Sequence, residues 1–314
     1  MNIITTIFRR TSPRNHHKLL HPFKAPVISP PTRIMTTQTS RVPSGDVHAK
    51  MAFYQAPADG SAPYNLIKEP LERNFETPTA PVFIHDIRGS ESSLTLDHDA
   101  VAVISGVPPS AEKDFTDDES IKKNYYPEVE ELLLKHVPGA KRVVFFDHTI
   151  RRADPNAHRG PVLMAHIDQT AKSAALRVEK HLGDDAEELL KGRYRIINVW
   201  RPLNANPVES FPLAFASSAS VDNKDIIPVQ HIYPSGYKGE TAAVAYNDNQ
   251  KWMYLSGMRG DERILLECFD TEALKEGSNV KGGRLPHTAF EHPGTREDAE
   301  GRESIEVRAL VFGP

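Results

Sequence analysis

The middle of the chain carries apolar residues at helical spacing. Pro127 stands in a first helical turn, glutamates follow it, and apolar side chains at Val129, Leu132 and Leu133 lead to a stop at Pro138. Two later segments with the same spacing end at glycines, which favour the end of a helix. The sequence therefore predicts helices over 127–137, 171–182 and 186–191.

Short runs rich in branched and aromatic residues predict β-strands, which become dominant after about residue 192. The predicted strands span 141–150, 161–168, 194–201, 226–233, 252–257, 264–270 and 305–312. A doubly wound sheet needs strands that alternate regularly with helices, and that alternation stops at about residue 192. The pattern therefore indicates a mainly β fold with peripheral helices (α+β), in the form of a sandwich or a jelly-roll barrel.

The composition narrows the class of protein. The 314 residues include 39% apolar side chains, and the mean hydropathy of −0.46 is typical of a soluble globular chain. No stretch approaches the roughly 18 consecutive apolar residues that cross a bilayer, so we expect no membrane span. The net charge of −4 gives no reason to expect nucleic acid as a partner. A single cysteine, Cys268, excludes an intramolecular disulfide and fits a reducing, cytoplasmic location.

Charge divides the chain near residue 50. Residues 1–45 contain seven lysines and arginines, no acidic residue, and several prolines that interrupt a helix. A basic leader of this kind is either disordered or a targeting segment, and mitochondrial targeting is the second alternative. We therefore expect a leader over 1–50 and one domain over 51–314.

A short motif at the end of a predicted strand suits a metal ion. In His166-Ile167-Asp168 the imidazole and the carboxylate project to the same side of an extended chain. Oxygenases that use non-haem iron bind it through two histidines and one carboxylate on one face. His287 follows later in the chain, so His166, Asp168 and His287 are the candidate Fe(II) ligands and catalytic residues.

The last predicted strand offers cations for a dicarboxylate. Arg302 and Ser304 provide a planar guanidinium fork and a hydroxyl, which suit the distal carboxylate of 2-oxoglutarate. Arg308 is the alternative anchor on the same strand, because its side chain points away from Val307 and Ala309 and could face the barrel interior.

Two other histidines compete with His287. His231 lies in a predicted strand and could be the second ligand, whereas His292 lies in a turn-like Glu-His-Pro-Gly sequence. Cys268 has no neighbouring base in sequence, so we expect a buried apolar side chain and not a nucleophile.

Several arginines have two interpretations each. Arg151 and Arg152 fit either a substrate carboxylate or a salt bridge that anchors a loop. One predicted strand has a polar and aromatic composition that suits either substrate contact or structural ion pairs, at Arg195, Asn198, Trp200 and Arg201.

Ordered blocks between about Phe75 and Phe312 resemble one known family. The blocks span 143–152, 165–170, 195–203, 252–258, 267–270, 286–290 and 302–312. They include His166-Ile167-Asp168 and Pro286-His287-Thr288. These blocks resemble the gibberellin desaturase/AsaB-like hydroxylase–desaturase family, whose members occur in fungal secondary metabolism and are related to cephamycin 7-alpha-methoxylation proteins.

The resemblance implies a fold and a reaction. The implied fold is a double-stranded β-helix (jelly-roll, cupin-like) that uses Fe(II), O2 and the co-substrate 2-oxoglutarate. The implied reaction hydroxylates or desaturates an unactivated C–H position of a small-molecule secondary metabolite, such as a terpenoid or a polyketide. The alternatives are a non-redox metal-dependent hydrolase and a non-catalytic partner subunit of a biosynthetic enzyme. The oligomeric state stays open.

Overall fold

The computed structural model of the protein describes residues 42–154, 157 and 159–314. Most of the leader expected over 1–50 therefore lies outside the described residues. The first strand, Val47–Ala52, begins a few residues before the expected domain boundary at residue 51. Its exposed His48 and Lys50 alternate with buried Ala49 and Met51, so this short polar stretch belongs to the sheet.

The strands are numbered in chain order. They are β1 (Val47–Ala52), β2 (Tyr64–Leu66), β3 (Glu72–Arg73), β4 (Thr79–Asp86), β5 (Val101–Ile104), β6 (Arg142–Arg152), β7 (His166–Ile167), β8 (Tyr194–Pro202), β9 (Leu213–Ala216), β10 (Ile226–Ile232), β11 (Lys238–Val244), β12 (Trp252–Tyr254), β13 (Arg263–Asp270), β14 (His287–Ala289) and β15 (Glu303–Phe312).

Helices are short and connect the strands. They are α1 (Leu96–Asp99), α2 (Asp118–Asn124), α3 (Tyr126–His136), α4 (Ala171–Leu182) and α5 (Ala186–Leu189). Thr170 caps α4 through a capping box with Ser173, in which each side chain bonds the backbone N–H of the other residue. In the described part of the chain, no helix is both long enough and apolar enough to span a membrane.

Two mostly antiparallel sheets form the body of the molecule. The large sheet of ten strands has the order β1-β4-β12-β9-β14-β7-β11-β10-β2-β3, and the small sheet of five strands has the order β5-β13-β8-β15-β6. The strand β7 lies between β14 and β11, which come much later in the chain. Neighbours in this fold are therefore set by long-range pairing.

The small sheet is buried on both faces. Ile196 of β8 packs in one core with Ile167 and Trp252 of the large sheet, while the adjacent Ile197 packs in another core with Leu133 of α3. Because side chains alternate along a strand, one face of β8 meets the large sheet and the other meets the helices. This alternation decides which side chains of β8 and β15 reach the space between the sheets.

Most predicted elements occur near their expected positions, and one strand prediction is largely wrong. The segment predicted as a strand over 161–168 pairs as a strand only at His166–Ile167. Pro161 has no backbone N–H to donate, and the carbonyl oxygen of Val162 accepts from Ala289 outside a regular ladder. The strand predicted over 252–257 ends at Tyr254, and Gly257 has a positive φ of 54° beyond it.

Candidate metal centre

Two histidines face each other on adjacent strands of the large sheet. His166 begins β7, His287 begins β14, and the antiparallel register pairs them directly. Directly opposed residues project from the same face of a sheet, and the two imidazole centroids lie 4.5 Å apart. The pairing thus brings together two side chains that are distant in sequence.

Each imidazole is fixed by a hydrogen bond to the backbone two residues earlier. Nδ1 of His166 lies 2.8 Å from the carbonyl oxygen of Met164, and Nδ1 of His287 lies 3.0 Å from that of Leu285. A carbonyl oxygen only accepts, so Nδ1 is the protonated nitrogen in both rings. Nε2 then keeps the lone pair that a metal ligand needs.

Asp168 completes the cluster from the end of β7. Its Oδ1 lies 3.4 Å from Nε2 of His166. Its Oδ2 accepts hydrogen bonds from Nδ2 of Asn198 at 2.9 Å and from Nε of Arg308 at 2.8 Å. The small sheet therefore holds one carboxylate oxygen while the other faces the histidines. One ligand atom from each of His166, Asp168 and His287 lies within 4.8 Å of the others.

The electrostatics favour the protonation states that bind a metal. Burial alone would raise the pKa of Asp168, but the charge of Arg308 holds it well below its usual range. Burial lowers the pKa of His287 to about 4. At neutral pH these two residues are a carboxylate and a neutral imidazole, and metal ligands of both kinds must be deprotonated.

A narrow cavity next to this cluster is shared with Arg302. Its walls include Val162, His166, Trp200, Leu213, His287 and Arg302. The guanidinium of Arg302 lies 5.7 Å from the centroid of the Trp200 ring. Charged side chains of Arg151, Glu306 and Arg308 complete the lining, so the cavity beside the histidines is partly apolar and partly charged.

Arg302 is a buried cation with an incomplete set of partners. It is 2% exposed, and its Nη1 donates to the carbonyl oxygen of Phe211 at 2.8 Å. Phe211 holds that carbonyl with a positive φ of 48°, a conformation that bulky residues rarely adopt. Nε of Arg302 has no hydrogen-bond partner, and no carboxylate forms an ion pair with Arg302, among the residues that the structure describes. Burial, followed by the charge of Arg151, lowers the pKa of Arg302 to about 9.

Arg308, in contrast, is surrounded by carboxylates. Its Nε bonds Asp168, its Nη1 lies 3.1 Å from Oδ1 of Asp147, and its Nη2 contacts Oε1 of Glu306. Burial alone would lower the pKa of Arg308, but these carboxylates raise it well above its usual value. Arg308 is thus a cation paired with three carboxylates, one of which is Asp168.

Side chains on β15 point alternately to its two faces, and this decides where the other candidate residues of the strand lie. Ser304, Glu306 and Arg308 occupy every second position, opposite to the apolar face of Ile305 and Val307. Ser304 is buried at 2% exposure on that polar face. Glu306 also lines the cavity and was not selected from the sequence, although the same alternation with Arg308 would have identified it.

The strand β8 divides its four candidates between two faces. Asn198 bonds Asp168, and Trp200 lines the cavity. Arg195 donates to the carbonyl oxygen of Pro138, and Arg201 lies over the rings of Phe115 and Tyr125. The structure therefore does not bring Arg195 and Arg201 to the site, because odd-numbered side chains of β8 face the helices.

The structure also shows the surroundings of the two histidines that were alternatives to His287, and of the single cysteine. Nε2 of His231 lies 2.8 Å from Oγ1 of Thr241, and His231 is not part of the ligand cluster found among the described residues. Nδ1 of His292 accepts from the backbone of Gly294 within a turn. Cys268 is fully buried, as expected.

The pair of arginines on β6 has two different environments. Arg152 forms a 2.8 Å ion pair with Glu303, which anchors the end of β6 to β15. Arg151 donates to the carbonyl oxygen of Gly160 and lines the cavity.

Two histidines and a carboxylate on one face of a β-fold, beside a buried and unpaired arginine, define the class of non-haem metal-dependent oxygenases. A family model described as "Oxidoreductase/YMDC permease-like domain" matches residues 51–312. Among curated proteins, the chain is 39% identical over 300 residues to hydroxylase/desaturase poxK of Penicillium oxalicum, covering 86% of this chain and 92% of the relative.

Two further relatives agree with this class. Alpha-ketoglutarate-dependent dioxygenase phiK of a fungal species is 34% identical over 85% of this chain and 96% of its own length. The solved structure of the iron and alpha-ketoglutarate-dependent endoperoxidase NvfI superposes with a TM-score of 0.76 at 29% identity, over 86% of this chain and 98% of that one. The chain belongs to this family of Fe(II)/2-oxoglutarate-dependent hydroxylases and desaturases of fungal secondary metabolism. Its cofactor set is Fe(II), 2-oxoglutarate and O2.

Proposed function

We propose that His166, Asp168 and His287 hold Fe(II), and that Arg302 binds the distal carboxylate of 2-oxoglutarate in the adjoining cavity. Fe(II) with 2-oxoglutarate and O2 supplies the oxidising power that breaks an unactivated C–H bond. The substrate is a small-molecule secondary metabolite of the terpenoid or polyketide kind, and the product is a hydroxylated or desaturated derivative. The names of the relatives support this proposal.

The state of Arg302 is the observation that supports the co-substrate site. A buried guanidinium without a carboxylate partner is costly, because its charge is removed from water and left uncompensated. A dicarboxylate that enters the cavity would supply that partner and would satisfy the free Nε. Arg302 therefore fits the role of an anion receptor whose partner is a ligand.

Arg308 has a different role in this proposal. Three carboxylates already surround its guanidinium, so a fourth would meet net negative charge. Together with Asn198, Arg308 fixes Oδ2 of Asp168 and leaves Oδ1 free for the metal. Residues that hydrogen-bond to a metal ligand orient that ligand and tune its basicity.

We also propose that the two sheets form a double-stranded β-helix of the jelly-roll type. The burial of the small sheet between the large sheet and the helices supports this arrangement. In the same proposal, residues 51–314 with the strand residues just before them form the oxygenase domain, and the earlier residues form the leader. The single cysteine, which is free and buried, supports a reducing cytoplasmic location, with mitochondrial targeting by the leader as the alternative.

The proposal predicts that the affinity for the metal and the affinity for the co-substrate depend on different arginines. In Arg302→Ala the distal carboxylate loses its cation, which costs about 2–5 kcal/mol, so the Kd for 2-oxoglutarate rises roughly 30-fold to several thousand-fold while iron affinity is retained. Arg308→Ala should instead lower the affinity for iron, because Asp168 loses its positioning partner. Both affinities are measured anaerobically by calorimetry on the purified protein.

Arg152→Ala is the matched control, since it removes an arginine from a surface ion pair near the same strand end. We expect both affinities to stay within about twofold of the unmodified protein, because exposed pairs contribute little. An unchanged Kd for 2-oxoglutarate in Arg302→Ala, with a large rise in Arg308→Ala at full iron occupancy, would move the anchor to Arg308.

A further inference from the structure

A cleft outside the narrow cavity leads from the metal centre to the surface. It has a volume of about 210 Å³ and lies between α4 and the β10–β11 hairpin. Asp168 and His231 line it at one end. Since Asp168 is one of the three candidate ligands, this end of the cleft lies beside the metal centre.

The end of the cleft near the metal is lined by polar groups that already have partners. Glu240 accepts from Oγ1 of Thr170 and forms a 3.5 Å ion pair with Lys172. His231 bonds Thr241. These groups compensate one another, so this end offers no free charge for a ligand.

The outer end is different, because it combines free cations with exposed apolar surface. Lys180 and Lys238 both line the cleft, and neither ammonium forms a hydrogen bond or an ion pair with any residue that the structure describes. Tyr233 and Tyr237 contact each other there with tilted rings, whose centroids lie 5.5 Å apart, and they are 38% and 55% exposed. Across from them, Leu176 of α4 is 49% exposed.

Two independent measures place these lysines far from the metal. Lys180 lies nine residues beyond Ala171, the residue of α4 that follows Asp168 most closely in sequence, and nine residues span about 14 Å along a helix axis. Lys238 lies five residues before Ala243, whose register partner is His166, and five residues span about 17 Å of extended strand. Both ammonium groups therefore belong to the outer end of the cleft.

A cationic face on a surface helix is common and is not by itself a site. Here the free charges occur on two separate elements, and they coincide with exposed tyrosine and leucine side chains along a cleft that ends at a metal ligand. An amphipathic ligand would cover the apolar surface and neutralise the ammonium groups at the same time.

We propose that the substrate is an organic acid with an apolar, ring-containing body. The body lies along Leu176, Tyr233 and Tyr237, and a carboxylate contacts Lys180 and Lys238. The acid group is then about 14–17 Å from the end of the cleft beside the metal centre. This inference rests on the proposed function for the position of the reacting carbon, whereas the anion site itself stands on the cleft alone.

Two fluorescent probes test the anion site on the full chain. The first is 8-anilinonaphthalene-1-sulfonate, an aromatic anion, and the second is N-phenyl-1-naphthylamine, which has the same rings without the charge. We expect Lys180→Gln and Lys238→Gln each to raise the Kd of the anionic probe about twofold to fivefold at low salt. The double variant should multiply the effects, and the neutral probe should bind all variants equally.

The control is Lys251→Gln, which makes the same charge change at an exposed lysine outside the cleft. We expect no change in the Kd of either probe. At high salt the difference between the cleft variants and the unmodified protein should disappear, because screening removes contacts between exposed charges. Equal effects of Lys251→Gln and the cleft variants, or no effect of the cleft variants, would overturn the anion site.

The two proposals fail in different ways. Absence of 2-oxoglutarate binding to the iron-loaded protein would contradict the proposed function and leave the probe results intact. Lysine-independent binding of the anionic probe, with normal 2-oxoglutarate binding, would contradict only the anion site.

Discussion

At the scale of single residues, the partners of a side chain decide its role. Arg302 and Arg308 have the same chemistry, and they lie directly before β15 and within it, yet only Arg308 is paired with carboxylates. Its partners Asp147 and Asp168 come from β6 and from the residue after β7, which the sequence does not place next to β15. The sequence therefore predicted Arg302 as the anchor with Arg308 as the alternative, and it could not show which of the two has carboxylate partners.

Asn198 offers a direct test of how Asp168 is positioned. Asn198→Ala removes the hydrogen bond from Nδ2 to Oδ2 of Asp168, so the carboxylate loses one of its two holders. We expect the affinity for Fe(II) to fall about 10-fold to 100-fold, as it does when other residues that hydrogen-bond to a metal ligand are replaced. The measurement is anaerobic metal titration.

The control for this variant is Asn206→Ala, which removes an exposed amide with a long 3.4 Å contact to Glu300. It should leave metal affinity unchanged. If Asn198→Ala also binds Fe(II) as tightly as the unmodified protein, Asp168 does not depend on Asn198 for its orientation.

The burial of Glu267 leads to a prediction of how the stability of the protein changes with pH. Both of its carboxylate oxygens are buried without a hydrogen-bond partner in the described structure, and burial, with the charge of Asp270, raises its pKa well above the usual value. Between about pH 4.5 and the raised pKa, the unfolded chain releases this proton and the folded chain keeps it. The unfolded state then binds fewer protons, so the free energy of unfolding falls as pH rises.

Glu267→Gln should remove this fall in the free energy of unfolding with pH, because the amide is neutral at every pH. We expect similar stability to the unmodified protein near pH 5 and a gain of about 1–3 kcal/mol at pH 8, measured by urea unfolding. Glu262→Gln, which breaks the ion pair with Arg88, should not gain stability at either pH. A Glu267→Gln protein that is less stable at pH 8 would show that Glu267 is ionised and paired.

At the scale of elements, buried runs were easy to predict and isolated short strands were not. The strand β8 is buried along nearly its whole length, and its branched and aromatic residues indicated the bounds almost to the residue. The strand β7 has only two residues, and its bounds depend on pairing with β11 and β14, which are remote in sequence. Local pattern carries no information about such pairing.

The helix α4 depends on its cap, and this dependence can be measured. In Thr170→Ala the first turn loses the hydrogen bond from the backbone N–H of Ser173, and Glu240 loses the donor Oγ1 of Thr170. We expect a loss of about 1 kcal/mol in the free energy of unfolding. Thr170→Ser keeps the hydroxyl, so it should retain most of the free energy of unfolding that Thr170→Ala loses. Equal losses in both variants would show that the methyl group of Thr170, and not the cap, stabilises the helix.

At the scale of the whole molecule, two sheets combine to form one site. The large sheet supplies both histidines, and Asp168 follows its strand β7, while the small sheet supplies Asn198 and Arg308, and Arg302 lies directly before strand β15. The ligand set itself was predicted from spacing and from the family resemblance. The division of β8 between two faces was not predicted, because it depends on which side the helices cover.

The account rests on a metal centre that binds 2-oxoglutarate, and one measurement tests it most directly. Fe(II) and then 2-oxoglutarate are added anaerobically to the purified protein while the visible spectrum is recorded, since chelation of the metal by the co-substrate produces a charge-transfer band. We predict the band in the unmodified protein and in His231→Ala, and its loss in His287→Ala. No band in the unmodified protein, or a band that persists in His287→Ala and disappears in His231→Ala, would contradict the account.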